Sequence, residues 1–181
     1  MDKFEEKTTK TTEIFDGKII KLQVDDVTLP DGKTSKREIV KHPGAVAVIA
    51  LTSENKVVMV EQYRKPLEKS LVEIPAGKLE PGEKPEITAI RELEEETGYT
   101  TNNLAFVTSF YTSPGFADEI LYLYFTDNLI PLVEEKDLDE DEFVELMEVT
   151  IEEAETMINE QKIHDAKTAY AIQYLRLRGL R

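Results

Sequence analysis

The densest set of chemically capable side chains lies between Gly77 and Tyr99, in GKLEPGEKPEITAIRELEEETGY. Glu92 precedes Glu95 by three residues and Glu96 by four. On a helix such positions are neighbours, with Cβ atoms about 5–6 Å apart, so the three carboxylates are placed to meet at one point. Left alone they repel, so something cationic must share the face: Arg91, four residues before Glu95, or a bound divalent ion. The chain has no cysteine and only two histidines, which leaves oxygen as the donor, and oxygen donors select Mg²⁺ or Mn²⁺ over Zn²⁺. A merely solvated acidic face is the competing explanation, and the spacing of the surrounding residues argues against it.

Pro85 in a first turn and Gly98 as a stop predict a helix over Pro85–Thr97. Ile87, Ile90 and Leu93 form its apolar stripe, with Glu92, Glu95 and Glu96 on roughly the opposite side. A Thr150-x-x-Glu153 capping box predicts a second helix from Ile151 to about Lys162, and Asp165 and Gly179 bound a third over about Ala166–Arg178. Residues 19–52 read as β structure. Ile20, Leu22 and Val24 alternate with polar neighbours, Pro30-Asp31-Gly32 is a turn, and Ala45–Leu51 is a continuous apolar run of the kind a buried strand shows. Val57–Val60, Leu71–Ile74, Leu104–Tyr111 and Ile120–Phe125 supply further strands, the last two flanking a Ser113-Pro114-Gly115 turn. This alternation predicts an α/β fold, a mixed sheet covered by helices.

At 181 residues the chain is one domain's worth. Its 22 basic against 37 acidic residues leave a net charge of -15, which excludes a phosphate-backbone binder of DNA or RNA. The acidic excess is concentrated in Glu134–Glu148, with nine acidic residues and one lysine. The lack of cysteine excludes disulfides and thiolate chemistry and fits a reducing compartment, the cytoplasm. No window approaches 18 consecutive apolar residues, so no bilayer span is expected, and MDKFEEKTTKTTEIF lacks the basic start and apolar centre of an export signal. His42 and His164 sit in no Ser-His-Asp setting, and the aromatic residues of SFYT and LYLYF stand at the spacing of core strands.

The full spacing around the glutamates is Gly77, five residues, Glu83, seven residues, Arg91-Glu92-Leu93, one residue, Glu95-Glu96, one residue and Gly98, closed by Tyr99 where an aliphatic residue is usual. It resembles the Nudix box, and a chance match in a chain of this composition is on the order of 10⁻⁶ to 10⁻⁵. Resemblance to the Nudix hydrolases implies cleavage of a nucleoside diphosphate linked to another moiety, with divalent cations on the box helix. It makes Glu92 and Glu96 the direct metal ligands, Glu95 a further or water-mediated one, and the Ala76 carbonyl part of the shell. Arg91 then orients a box carboxylate and Glu83 belongs to the scaffold.

Two flanking segments narrow the resemblance to the ADP-ribose pyrophosphatase subgroup: EQYRKPLEKSLVEIPAGKLE before the box, and SPGFADE, whose Pro114 lies 16 residues after Gly98. By that resemblance Arg64 contacts substrate phosphate, Pro114 and Glu119 belong to the substrate site, and Arg37 and Glu38 line the nucleotide. Glu142 in LDEDEFVEL, with Glu140 as alternative, occupies the place of the glutamate that activates water. The catalytic set expected on this basis is Glu142, Glu95 and Arg91.

The fold implied is the Nudix α/β/α sandwich over residues 43–181, with residues 1–42 as an N-terminal antiparallel β extension. In related enzymes that extension exchanges between subunits, which implies a homodimer. The implied activity is Mg²⁺-dependent hydrolysis of ADP-ribose to AMP and ribose 5-phosphate. GDP-mannose or another nucleoside diphosphate sugar is the alternative substrate, and a non-catalytic nucleotide-sensing domain the alternative role.

Overall fold

The structure is a computed structural model that describes residues 2–134 and 143–180. Its strands in chain order are β1 (Lys7–Asp16), β2 (Lys21–Thr28), β3 (Thr34–Lys41), β4 (Ala45–Ala50), β5 (Val57–Arg64), β6 (Lys69–Glu73), β7 (Ala76–Lys78), β8 (Tyr99–Thr100), β9 (Ala105–Tyr111), β10 (Ile120–Thr126), β11 (Ile130–Pro131) and β12 (Val144–Val149). The helices are α1 (Pro85–Thr97), α2 (Ile151–Asn159) and α3 (Ala166–Leu177). None of the described helices is long and apolar enough to cross a membrane.

The chain divides into two compact units, one comprising the residues up to Gly44 with Phe110–Leu121, the other Ala45–Ser109 with the residues from Tyr122 onward. In the first, β1, β2 and β3 form an antiparallel sheet in that order. The Pro30-Asp31-Gly32 turn joins β2 to β3: Gly32, at φ 84°, donates its N–H to the Leu29 carbonyl at 2.9 Å. All ten residues of β1 are exposed, so this strand exists through pairing with β2 alone. It precedes the β structure read by alternation from residue 19 onward, because a strand that buries neither face carries no apolar alternation to read, and it lies in the stretch 1–42 where only the resemblance implies a β extension. The segment after Pro114 docks on β3: Val40 donates to the Phe116 carbonyl at 2.8 Å and Asp118 donates to the Val40 carbonyl at 3.2 Å.

The second unit carries the core. β4 lies inside a four-stranded sheet of order β7-β4-β10-β9. Its Val46, Val48 and Ala50 pack with Ala89 and Leu93 of α1, while Ala47 and Ile49 on the opposite face are also fully buried. Burial of both faces makes this sheet a middle layer, the reason Ala45–Leu51 reads as an unbroken apolar run. A second sheet, β12-β5-β6, is antiparallel throughout, and α3 buries Ala171, Ile172 and Leu175.

Helix boundaries follow their caps. Thr150 and Glu153 form the expected capping box. Asp165 caps α3 by accepting from the Thr168 N–H at 3.1 Å. α2 stops at Asn159, three residues short of the expected end, where Gln161 turns to φ 58°. The buried face of α1 departs from expectation. It comprises Thr88, Ala89, Glu92, Leu93, Glu96 and Thr97, while Ile87 is 55% exposed. Small residues at positions 88 and 89 let the helix lie close to β4 and β7, and this rotation carries Glu92 and Glu96 inward rather than to the solvent side.

Candidate functional site

The box helix starts at Pro85 and ends on Gly98, whose φ of 69° and N–H bond to the Glu94 carbonyl at 3.0 Å make it the left-handed stop. Its buried acidic face meets the backbone of β7. Glu96 Oε2 accepts the Ala76 N–H at 3.0 Å. Glu92 lies directly over Gly77, where a Cβ would collide with the carboxyl carbon and both oxygens of Glu92. Glycine serves here to leave the space that the Glu92 carboxylate occupies, since its φ lies outside the left-handed range. Two buried carboxylates one turn apart thus converge on the Ala76–Gly77 peptide. Among the described residues no three acidic or imidazole side chains are gathered as a ready-made metal cage. The oxygen donors of Glu92 and Glu96, with Glu95 beside them, are of the hard type that Mg²⁺ and Mn²⁺ take.

Arg91 is the cation that shares this acidic cluster. Nη1 donates to Glu95 Oε2 at 2.7 Å, and Nη2 lies 2.9 Å from Glu92 Oε1 and 3.5 Å from Glu83 Oε2. Nη2 is buried and makes no well-directed hydrogen bond, so its link to Glu92 is Coulombic. Burial works to lower the Arg91 guanidinium, but the charges of Glu92, Glu95 and Glu83 outweigh it and raise it above its ordinary value. Glu83 also accepts the Thr88 hydroxyl at 2.8 Å, tying the loop before α1 to its first turns. Tyr99, the departure from the aliphatic position of the box, packs against the core with its ring and donates its hydroxyl to Glu148 Oε1 at 2.7 Å. An aromatic residue fits because its apolar body and polar tip find separate partners.

Arg64, at the end of β5, forms a fork with Glu73: Nε donates to Oε1 at 2.6 Å and Nη2 to Oε2 at 2.9 Å. Glu73 Oε2 also receives the ammonium of Lys167, which reaches Asp165 Oδ1 at 2.9 Å. The hydrogen bond to Glu73 raises the Arg64 guanidinium against the effect of burial, and Glu96 and Asp165 are among the further charges that do so. Arg64 is therefore within electrostatic reach of the box. Glu73 and Lys167 escaped the sequence reading. Glu73 was visible only as part of Glu-Ile-Pro-Ala-Gly, and Lys167 stands 94 residues away with no local signal.

Burial works to raise the Glu73 carboxyl, but Arg64 and Lys167 hold it below its usual value of 4.5. A depressed carboxyl contributes stability that is present above pH 4.5 and lost as pH falls through the lowered value. Thermal melts of the protein and of Glu73→Gln are accordingly expected to differ most near neutral pH, with the wild type higher, and to converge in acid. A constant gap from neutral to strongly acid pH would contradict this.

The remaining expected site residues in the first unit are Arg37, Glu38, Pro114 and Glu119. Arg37 and Glu38 lie on β3, against which the Pro114–Glu119 segment docks. Arg37 is paired bidentately with Glu6, at 2.8 Å from Nε and 2.6 Å from Nη2. Glu38 and Pro114 are exposed. Glu119 accepts the Thr112 hydroxyl and lies 3.6 Å from His42 Nδ1, which in turn accepts the Gly44 N–H at 3.1 Å. Glu140 and Glu142 lie outside the described residues.

Residues 41–171 match the NUDIX domain, and residues 6–40 match a nucleoside diphosphate sugar hydrolase N-terminal domain. The chain is 62% identical over 178 residues to an ADP-ribose pyrophosphatase of Bacillus subtilis (strain 168), covering 98% of this chain and 96% of that protein. It is 65% identical over 174 residues to a methanol dehydrogenase activator of Bacillus methanolicus, covering 96% and 94%. Among solved structures it resembles an ADP compounds hydrolase with a TM-score of 0.82 at 18% identity, covering 97% of this chain and 96% of that one, which supports the α/β/α fold. With Glu92 and Glu96 on the buried face of α1 against Ala76 and Gly77, and the domain match spanning most of its length, the chain belongs to the Nudix hydrolase family.

Proposed function

We propose that the protein hydrolyses ADP-ribose to AMP and ribose 5-phosphate in a Mg²⁺-dependent reaction, with Mn²⁺ as a substitute ion. The 62% identity to the Bacillus subtilis ADP-ribose pyrophosphatase, over nearly the whole of both chains, carries the substrate reading. The convergence of Glu92 and Glu96 on Ala76–Gly77 supports the reaction class. Glu92 and Glu96, with Glu95 and the Ala76 carbonyl, are the groups that would hold the divalent ion. When bound, such an ion neutralises the anionic diphosphate and renders phosphorus open to attack by water.

The protein's own residues do the remaining work. Arg64 binds a phosphate oxygen, and Arg91 keeps the box carboxylates in place against their mutual repulsion. Arg37, Glu38, Pro114 and Glu119 form the substrate-binding set of the first unit. Glu142 accepts the proton of the attacking water. The water oxygen bonds to one phosphorus, the bridging oxygen leaves with the other phosphate, and two phosphomonoesters result. The substrate is a small nucleotide sugar in the cytoplasm, not a nucleic acid or a membrane.

The N-terminal β extension, residues 1–42, forms a homodimer in this reading. Its support is the exposed β1 edge and the exposed Ile14, Phe15 and Ile19, each more than half accessible. A panel of ADP-ribose, GDP-mannose and other nucleoside diphosphate sugars, assayed with Mg²⁺, tests the substrate: ADP-ribose is expected to be turned over with the highest kcat/KM. Preference for GDP-mannose would replace it, and silence across the panel from a folded protein would leave the sensing role. Sedimentation of the same preparation is expected to give a dimer. The 65% identity to the methanol dehydrogenase activator favours a second reading, in which the protein raises the activity of an alcohol dehydrogenase. Addition to such a dehydrogenase with and without an intact box separates the two roles.

A further inference from the structure

Glu73 is the least exposed acidic residue among the described residues, at 2%, and its two oxygens are held by cations from distant parts of the chain. Arg64 commits Nε and Nη2 to it, which fixes the plane of the guanidinium. Nη1 takes no part in this fork, on a side chain 38% exposed. Lys167 donates to Glu73 Oε2, the oxygen that also receives Arg64 Nη2, and is itself only 12% exposed. Its position is set by backbone. Val72 donates to the Lys162 carbonyl at 2.9 Å and Ile74 to Thr168 Oγ1 at 3.1 Å, so the start of α3 is stitched along the end of β6. Without Lys167, one buried carboxylate would neutralise Arg64 on its own. With it, Glu73 is shared between two cations, and the guanidinium keeps both its orientation and charge for an anion.

We propose that Glu73 and Lys167 are positioning residues, a brace running from α3 to β5 that presents the Nη1 edge of Arg64 to a substrate phosphate. This rests on the pyrophosphatase reading above for its substrate, but the brace itself is defined without substrate. The test is a double-mutant cycle in steady-state hydrolysis of ADP-ribose with Mg²⁺, using the full chain. Lys167→Met is expected to raise KM about tenfold with kcat within about twofold, the scale of one lost bond between charged groups. Lys167→Gln should shift KM in the same direction, and Lys167→Arg should restore most of it. In an Arg64→Ala background Lys167→Met should cause no further loss, because Lys167 acts only through Arg64. An unchanged KM in Lys167→Met, or the same loss with and without Arg64, overturns the proposal.

A second measurement needs no turnover. The Arg64 Nε–H signal in a ¹⁵N NMR spectrum, assigned by its loss in Arg64→Lys, is expected to exchange slowly with water in the wild type and quickly in Glu73→Gln, which removes the charged acceptor that fixes the guanidinium. Slow exchange in both overturns the brace. Failure of the wild type to hydrolyse ADP-ribose would instead count against the substrate reading, and the NMR comparison would still decide the brace.

Discussion

Gly77→Ala is expected to lower kcat/KM by about 10²-fold or more while leaving the fold intact, since misplacing a reacting group by about 1 Å already has an effect of that order. The backbone at Gly77 lies outside the left-handed range, so alanine itself is conformationally acceptable. The obstacle is Glu92, whose carboxyl carbon and oxygens occupy the space a Cβ needs. Glu92 sits at the end of a rotatable side chain, so the collision is relieved by moving the carboxylate, not by opening the sheet. What is lost is its placement. Activity and thermal stability measured on the same preparation check this: a large activity loss with a melting temperature within a few degrees of wild type fits. Full activity in Gly77→Ala would mean that the observed position of Glu92 has no bearing on the reaction.

Glu96→Gln is expected to have the larger effect, at least 10³-fold in kcat, which corresponds to about 4 kcal/mol in the barrier. The substitution preserves shape and an oxygen that accepts the Ala76 N–H, so the local fold is kept. It removes one negative charge from the side chains that would hold the divalent ion. Because Glu96 is buried, at 7% exposure, relief of its desolvation should leave the melting temperature of the variant equal to or above that of the wild type. Titration of activity with Mg²⁺ distinguishes a weakened ion site from a disrupted fold, since only the former leaves the melting curve in place.

The chemistry of the site was legible because its key groups are local. Glu92, Glu95 and Glu96 share one helix with Arg91, and Pro85 and Gly98 mark its ends in sequence as they do in space. The orientation of that helix was not. The stripe drawn through Ile87, Ile90 and Leu93 misses that Glu92 and Glu96 face inward, because what turns them is a glycine on another strand and the N–H of Ala76. Apolar periodicity has no means of registering a buried carboxylate held by backbone. β1 left no trace in the apolar periodicity for the complementary reason, an exposed strand held by hydrogen bonding to β2, and only the family resemblance gave β structure to residues 1–42. The Arg64–Glu73–Lys167 cluster joins β5, β6 and α3, and only tertiary structure brings Lys167 to it. β4, by contrast, was read from its apolar run alone, since burial on both faces leaves an unbroken signature.

Metal-dependent cleavage of the ADP-ribose diphosphate by the box carboxylates is the proposed reaction. Its most direct test is incubation of the purified protein with ADP-ribose, with and without Mg²⁺, beside Glu96→Gln, with AMP resolved by chromatography. AMP that requires both Mg²⁺ and Glu96 is the expected result. AMP formed equally without the ion, or equally by a folded Glu96→Gln, would contradict it.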